Sequence, residues 1–344
     1  MEEQVLVTGG TGFLGLRIIS ELLNQGYKVR STMRSESKKA SVLETLREQG
    51  IDTQNLTFVK ADLSKDENWP EAMEYCTYVM SVASPVVMGS VSVEDEQSIN
   101  KQAVEGIQRI LRAAEKSDVR RVVMTANFGA VGFSNKDKSS VTTEENWTDP
   151  NVKGLSVYEK SKLIAERAAW DFVNATENHI EFATINPVAI LGPSLNQHMS
   201  LSFQFVENIA SGKMKRIPNI PMNIVDVRDV ALLHVLAMKT PEAKGKRFIA
   251  TADGQISMPE IAELIREKRP QIASNVSTKK LPDFVIKLGA KFNSEASEGK
   301  LLLEMNRNVS NQQARNILGW TPMYTQEEAI LASIDSMTKY GVLK

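Results

Sequence analysis

Cysteine and histidine are scarce in this chain. Its 344 residues include one cysteine, Cys76, and three histidines, His179, His198 and His234. A lone thiol excludes an internal disulfide and any cysteine-based zinc site, and reads most simply as a small core hydrophobe. The histidines are scattered without metal-ligand spacing, so no metal is expected. The G-x-S-x-G elbow that would suggest a serine hydrolase is missing. No apolar stretch approaches the roughly 20 residues a membrane span needs. Met1-Glu2-Glu3-Gln4 runs directly into a strand-like segment and leaves no room for a signal peptide, so the expected location is cytoplasmic. Charge of one sign is also lacking: 41 basic against 42 acidic residues leave a net charge of −1, and nucleic acid is not an expected partner. The short cluster Lys213-Met214-Lys215-Arg216 has no interleaved aromatics and reads as a solvated loop.

What is present is an ordinary globular composition, 42% apolar and 24% charged, in a chain long enough for one large core or two that share an interface. Strand-like and helical periodicities alternate through the first half. The runs Val5–Thr8, Val29–Met33, Leu56–Ala61, Tyr78–Ala83, Arg121–Thr125 and Glu181–Asn186 predict successive strands with helices between them. That alternation implies an α/β fold with a doubly wound parallel sheet, and ligands beyond the carboxyl ends of the strands. The second half differs. Residues 191–221 are punctuated by Gly192, Pro193, Gly212, Pro218 and Pro221 and read as loops around one helix. Asn223–Val227 predicts a short strand, and Val230–Met238, Ser257–Lys268 and Gln326–Tyr340 predict helices, the third segment opening on a capping box at Ser257 and Glu260. The expected organisation is a nucleotide-binding domain over 1–190, to which 221–250 returns, with a smaller, mostly helical C-terminal substrate-binding part from 191–220 and 251–344.

The first run breaks at Thr8-Gly9-Gly10 and resumes with helical spacing at Phe13, Leu14, Leu16, Ile18, Ile19 and Leu22. Glycine at 9 allows a sharp turn, at 12 a close approach of backbone to ligand, and at 15 close packing of helix on strand. The helix start then offers unpaired N–H groups to a pyrophosphate. The spacing is GxxGxxG, so the dinucleotide fingerprint is met in mechanism although its letters differ. The second strand ends at Arg34, followed by Lys38 and Lys39, where an NAD site would carry a carboxylate for the ribose. A guanidinium grips a 2′-phosphate, so NADP(H) is expected; Glu36 is the alternative ribose ligand that would permit NAD.

Tyr158 and Lys162 stand four apart in a segment of good helix formers, 156–170, and so share a helical face. An ammonium beside a phenol is expected to lower its pKa toward the working range, which suits the tyrosine to proton transfer at a carbonyl that accepts hydride. Spacing alone does not choose this pair, since Tyr340 and Lys344 repeat it. Tyr158 is chosen because it follows the fifth strand by one loop. Phe133–Trp147 and 191–216 are expected to line the substrate pocket, as loops after strands five and six.

Taken together, VTGGTGFLG at 7–15, VRSTMR at 29–34, ADL at 61–63, SVASPV at 81–86, RRVVMT at 120–125, YEKSKLIAERAAW at 158–170, INPVAILGPSL at 185–195 and LGWTP at 318–322 resemble the extended short-chain dehydrogenase/reductase family. The similarity is strongest to its dihydroflavonol-reductase-like and cinnamoyl-CoA-reductase-like branch, alongside the NAD-dependent epimerase/dehydratase-like members. It implies a Rossmann fold and NADPH-linked carbonyl reduction. The cofactor would touch Gly9, Thr11, Gly12, Phe13, Leu14, Gly15, Arg34, Lys38, Asp62 and Leu63, with Asp62 near the adenine. Val82, Ala83, Ser84, Tyr158, Lys162 and Pro187 would follow along it, Lys162 at the nicotinamide ribose. The family usually reads TSS after strand five; here it is Thr125-Ala126-Asn127. Asn127 thus stands at the serine position, where its amide can donate to a carbonyl oxygen but cannot relay a proton as a hydroxyl can, with Thr125 the nearest hydroxyl. The expected partner is a small-molecule carbonyl or alcohol, and a homodimer is left open. A nucleotide-sugar epimerase or dehydratase, and a dinucleotide sensor without chemistry, are the alternatives on the same fold.

Overall fold

The computed structural model describes residues 3–85, 92–175 and 179–343; Met1, Glu2, Val86 of the 81–86 motif, and Lys344 lie outside them. The six apolar runs form β1 (Gln4–Val7), β2 (Lys28–Met33), β3 (Leu56–Lys60), β4 (Cys76–Ser81), β5 (Arg121–Thr125) and β6 (Glu181–Pro187). Four short strands follow, β7 (Ala189–Leu191), β8 (Ile217–Pro218), β9 (Pro221–Met222) and β10 (Ile224–Asp226), before β11 (Lys246–Ala250); β12 (Ile256–Ser257) and β13 (Lys280–Leu281) come last. The main sheet has seven strands in the order β11-β6-β5-β4-β1-β2-β3, all paired in parallel. Chain direction across the sheet reverses between β1 and β4, which opens a crevice at their carboxyl ends.

Alternate residues of the central strands feed two cores. Val5, Val7, Tyr78, Met80 and Val123 enter one apolar cluster, while Leu6, Val79, Val122 and Met124 enter the other. Burial on both faces is what a parallel sheet under helices requires. The helices of this half are α1 (Phe13–Asn24), α2 (Lys39–Glu48), α3 (Trp69–Met73), α4 (Val93–Glu115), α5 (Val157–Ala175), α6 (Phe203–Ala210) and α7 (Val227–Lys239). Leu16 and Ile19 of α1 and Val230 and Leu233 of α7 cover one face, and Ile107, Leu111, Ala165 and Ala169 of α4 and α5 cover the other.

Two details of the second half depart from the periodicity. The strand expected at 223–227 is shorter and pairs with β7 outside the main sheet, because the Asp226 carboxylate turns the chain by accepting the Arg228 N–H at 2.9 Å and capping α7. The strand that does join the main sheet is β11, beside β6. Its Arg247 is buried by an ion pair, a charged residue that masks the strand in the sequence. The chain then forms α8 (Met258–Lys268), α9 (Asp283–Gly289), α10 (Ser294–Glu304), α11 (Gln312–Leu318) and α12 (Gln326–Lys339). The expected capping box at Ser257 and Glu260 starts α8, and a second, Thr325 with Glu328, starts α12. Among the described residues no helix is long and apolar enough to cross a membrane.

Candidate active site

The glycine turn follows β1 directly. Gly9 takes φ of +71°, a left-handed conformation that glycine adopts without penalty. A Cβ on Gly15 would sit 2.2 Å from the Gly9 carbonyl oxygen, so the first turn of α1 and the glycine loop fit only without a side chain there. Gly12 is the N-cap of α1 and no side chain caps it, which leaves the positive end of the helix facing the crevice. Thr8, which the motif reading passed over, accepts the Val82 and Ala83 N–H groups at 2.9 Å each and fixes the loop after β4 against this turn.

A single cavity of about 1710 Å³ runs from here along the strand ends. It exceeds the roughly 300–1,000 Å³ of a drug-sized site, leaving room for a dinucleotide and a second molecule. Gly9, Thr11, Gly12, Phe13, Leu14, Gly15, Arg34, Asp62, Leu63, Val82, Ala83, Ser84, Thr125, Asn127, Tyr158, Lys162 and Pro187 all line it. Lys38 does not, and neither does Glu36. The Ser35 hydroxyl accepts the Ser37 N–H, and the resulting short 3-10 turn, Glu36–Lys38, carries both side chains onto the exposed surface. Arg34 is exposed at the cavity edge near Asp62. The Asp62 carboxylate accepts the Ser64 N–H and hydroxyl, each at 2.9 Å, and these bonds hold its pKa below the usual range.

At the other end α5 presents Tyr158 and Lys162 together, as the four-residue spacing requires. Asn127, leaving β5, accepts the Gly129 N–H with its Oδ1. This fixes the amide so that its NH₂ end serves Tyr158, where the bond favours phenolate. Burial outweighs that bond and the Glu159 charge opposes it further, pushing the Tyr158 phenol up to about 12. The expected lowering by Lys162 is therefore corrected. The Lys162 ammonium donates to the Thr125 carbonyl at 2.8 Å, and burial brings its own pKa down to about 8. Tyr158 is a protonated acid at neutral pH, held by an amide.

Thr125 is not a free hydroxyl. His234 Nδ1 lies 2.8 Å from the Val230 carbonyl, which can only accept, so Nε2 is the acceptor and takes the Thr125 proton at 2.7 Å. The imidazole is fully buried, and burial pushes it down to about 4 from an ordinary 6.5. A depressed histidine resists protonation in the folded chain, so its contribution is intact above pH 6.5 and is lost as pH falls toward 4. The loss is roughly 3 kcal/mol by linkage. Urea midpoints measured at pH 7 and pH 4.5 should fall with acid in the wild type, with a shallower fall in His234→Gln; equal slopes in the two proteins would refute this origin.

Sequence reasoning missed the residues beneath the site. Glu166, one helical turn beyond Lys162, is wholly buried and takes five hydrogen bonds: two from Arg247 at 2.9 and 3.3 Å, one from Asn186 at 2.7 Å, one from Thr184 at 2.9 Å and one from Trp170 at 3.4 Å. Asn186 also donates to the Asn127 carbonyl at 3.3 Å, and Arg247 holds the Glu144 and Asn146 carbonyls at 2.7 and 2.8 Å. Their signals in the sequence were charge at positions of helix and strand that burial should have kept apolar, and, for Glu166 and Asn186, a place inside the motifs at 158–170 and 185–195. Also missed was Glu159, which lines the cavity beside Tyr158; burial and the Glu298 charge push it up to about 7. Of the loop Phe133–Trp147 only Phe133 reaches the cavity, and 199–208 contributes Met199, Leu201, Phe205 and Asn208. Further parts of that wall come from 153–157, from α10 and the loop before it, including Phe292, Glu298 and Leu302, and from Asn223 and Arg307.

The chain as a whole is similar to known proteins. Residues 5–250 match the family model described as the NAD dependent epimerase/dehydratase family. Cinnamoyl-CoA reductase 1 of Petunia hybrida is 34% identical over 272 residues, covering 78% of each chain. The bifunctional dihydroflavonol 4-reductase/flavanone 4-reductase of Pyrus communis is 33% identical over 290 residues, 80% of this chain and 79% of that one. Among solved structures, yeast methylglyoxal/isovaleraldehyde reductase Gre2 complexed with NADPH superimposes with a TM-score of 0.81 at 25% identity, over 98% of this chain and 99% of its own. By a family model that spans 5–250 and by relatives above 30% identity over more than three quarters of its length, this chain belongs to the NAD dependent epimerase/dehydratase family, in the extended short-chain dehydrogenase/reductase branch.

Proposed function

We propose that this protein is an NADPH-dependent reductase of aldehyde or ketone carbonyls. The observation that carries the reading is Tyr158, kept protonated by burial and oriented by Asn127 in the same cavity as an uncapped helix N-terminus and Arg34. The reductase names of the petunia, pear and yeast relatives support the same direction.

The cavity fits the cofactor: Gly15 leaves no room for a side chain, the α1 N-terminus suits a pyrophosphate, and Arg34 suits a 2′-phosphate. NADPH, when bound, supplies the hydride to the carbonyl carbon. Tyr158 gives its phenolic proton to the carbonyl oxygen, so the product is the alcohol. The Asn127 NH₂ then donates to the phenolate oxygen left behind and stabilises its charge. Lys162, anchored on the Thr125 carbonyl, offers its ammonium to the ribose side of the site. We assign 1–190 and 221–250 to the cofactor and 191–220 and 251–344 to the substrate. An epimerase would show no net oxidation of NADPH, and a sensor would bind NADPH without consuming it.

The test is oxidation of NADPH and NADH across a panel of aldehydes and ketones. NADPH is expected to be preferred, and Arg34→Glu should lower that preference by roughly tenfold or more, since a carboxylate repels a 2′-phosphate. Absence of turnover with every carbonyl, or equal use of NADH by the wild type, would overturn the reading.

A further inference from the structure

Three arginines are buried among the described residues, and two of them are fully engaged. Arg121 pairs with Glu181 and donates to the carbonyls of Ala237, Met238 and Thr240, and Arg247 pairs with Glu166. Arg307 is different. It is 7% exposed, lines the cavity that holds Tyr158, and has Nε and Nη2 buried without a hydrogen-bond partner. Burial alone brings its pKa down to about 10, with no carboxylate offsetting it, so it remains charged at neutral pH. Arg307 also repels a second cation, Lys138, whose pKa it helps to lower.

The position is built. Asn306 N donates to the Asn135 carbonyl at 2.7 Å, Thr142 N to the Asn308 carbonyl at 2.8 Å, and the Asn306 amide to the Ser140 carbonyl at 2.9 Å. These bonds clamp the backbone on both sides of Arg307 to the loop that follows β5. Asn223, 2% exposed, donates its amide to the Arg307 and Gly254 carbonyls at 3.1 Å each, which settles its orientation. Its Oδ1 is then a second buried group without a partner on the same cavity. An unpaired buried charge is costly unless something compensates it; here Arg307 lacks an acceptor and Asn223 Oδ1 lacks a donor, and a ligand with an anionic oxygen beside a hydroxyl supplies both.

We propose that Arg307 binds an anionic oxygen group of the substrate, a carboxylate or a phosphate, with Asn223 Oδ1 accepting a hydrogen bond from a hydroxyl beside it. The inference rests on the reductase reading for the word substrate. The cofactor's own phosphates are assigned elsewhere, to the α1 N-terminus and Arg34. A guanidinium fork matches either anion with two parallel N–H bonds.

The test compares matched carbonyl pairs at saturating NADPH: 4-carboxybenzaldehyde against its methyl ester, and glyceraldehyde 3-phosphate against glyceraldehyde. In the wild type kcat/KM should favour the anionic member of at least one pair by roughly tenfold to a hundredfold, the range of a charge-assisted bond. The pair that shows it identifies carboxylate or phosphate. The ratio should fall to near one in Arg307→Met and stay intermediate in Arg307→Lys, and as a ratio within one protein it is insensitive to partial misfolding. A ratio near one in the wild type for both pairs, or one unchanged in Arg307→Met, would overturn the proposal. A second readout separates the two readings: thermal midpoints of the NADPH-saturated protein with benzoate, inorganic phosphate or neutral benzamide. If no carbonyl is reduced but benzoate or phosphate raises the midpoint of the wild type and not of Arg307→Met, the anion site stands and the reductase reading falls. Turnover without anion preference, and without a midpoint shift, gives the reverse.

Discussion

Replacing Tyr158 by phenylalanine is expected to lower kcat for carbonyl reduction by about 10²–10⁴-fold, the usual contribution of a positioned general acid. Cofactor binding should change little, because the variant loses one hydroxyl while the glycine turn and Arg34 are untouched. Two features of the site sharpen the prediction. The phenol is pushed up to about 12, so the acid keeps its proton throughout the neutral range and the wild-type rate should show no descending limb from Tyr158 itself. A descending limb near pH 8 would belong to Lys162, whose depressed pKa means that its charge is complete below about 8 and disappears above it. The measurement is kcat against pH for wild type and Tyr158→Phe, with the NADPH dissociation constant determined in parallel. A variant with wild-type kcat would remove Tyr158 from the chemistry.

The second large effect concerns stability. Glu166→Gln keeps the shape of the side chain but leaves the buried Arg247 guanidinium without its counter-charge. Breaking such a pair costs about 3–5 kcal/mol, a sizeable share of the roughly 5–15 kcal/mol that holds a typical native chain together. Removing both charges, Glu166→Leu with Arg247→Met, should cost less than the sum of the single changes, since no unpaired ion remains. Urea unfolding of the two singles and the double completes the cycle, and additive losses would show that the pair is not coupled. The network reaches Asn127 through Asn186, so Glu166→Gln should also loosen the amide that orients Tyr158.

Much of this protein was legible from local pattern. The apolar runs are long enough to place the first six strands, and their alternation with helices dictates a parallel sheet, because parallel strands need crossovers. Gly9 and Gly15 could be recognised as residues that tolerate no side chain because a tight strand-to-helix turn demands it locally. The four-residue step from Tyr158 to Lys162 is a property of any helix. These features depend on neighbours in sequence, which is why the chain alone determined them, and the family assignment with them.

The tertiary structure decided what depends on distant neighbours. Whether Lys162 acts on Tyr158 or on the Thr125 carbonyl depends on where β5 lies beneath α5, and burial sent the Tyr158 pKa up when local charge alone suggested down. Lys38 left the cavity because a turn at Ser35 redirected it, and Thr125 lost its free hydroxyl to a histidine 109 residues away. Arg247, Asn223 and Arg307 lie in no motif, and Glu166, although inside the 158–170 motif, carries no sign there of its buried partners. Their roles arise because desolvation and hydrogen-bond satisfaction are set by what surrounds an atom in space, and no periodicity in the sequence records that.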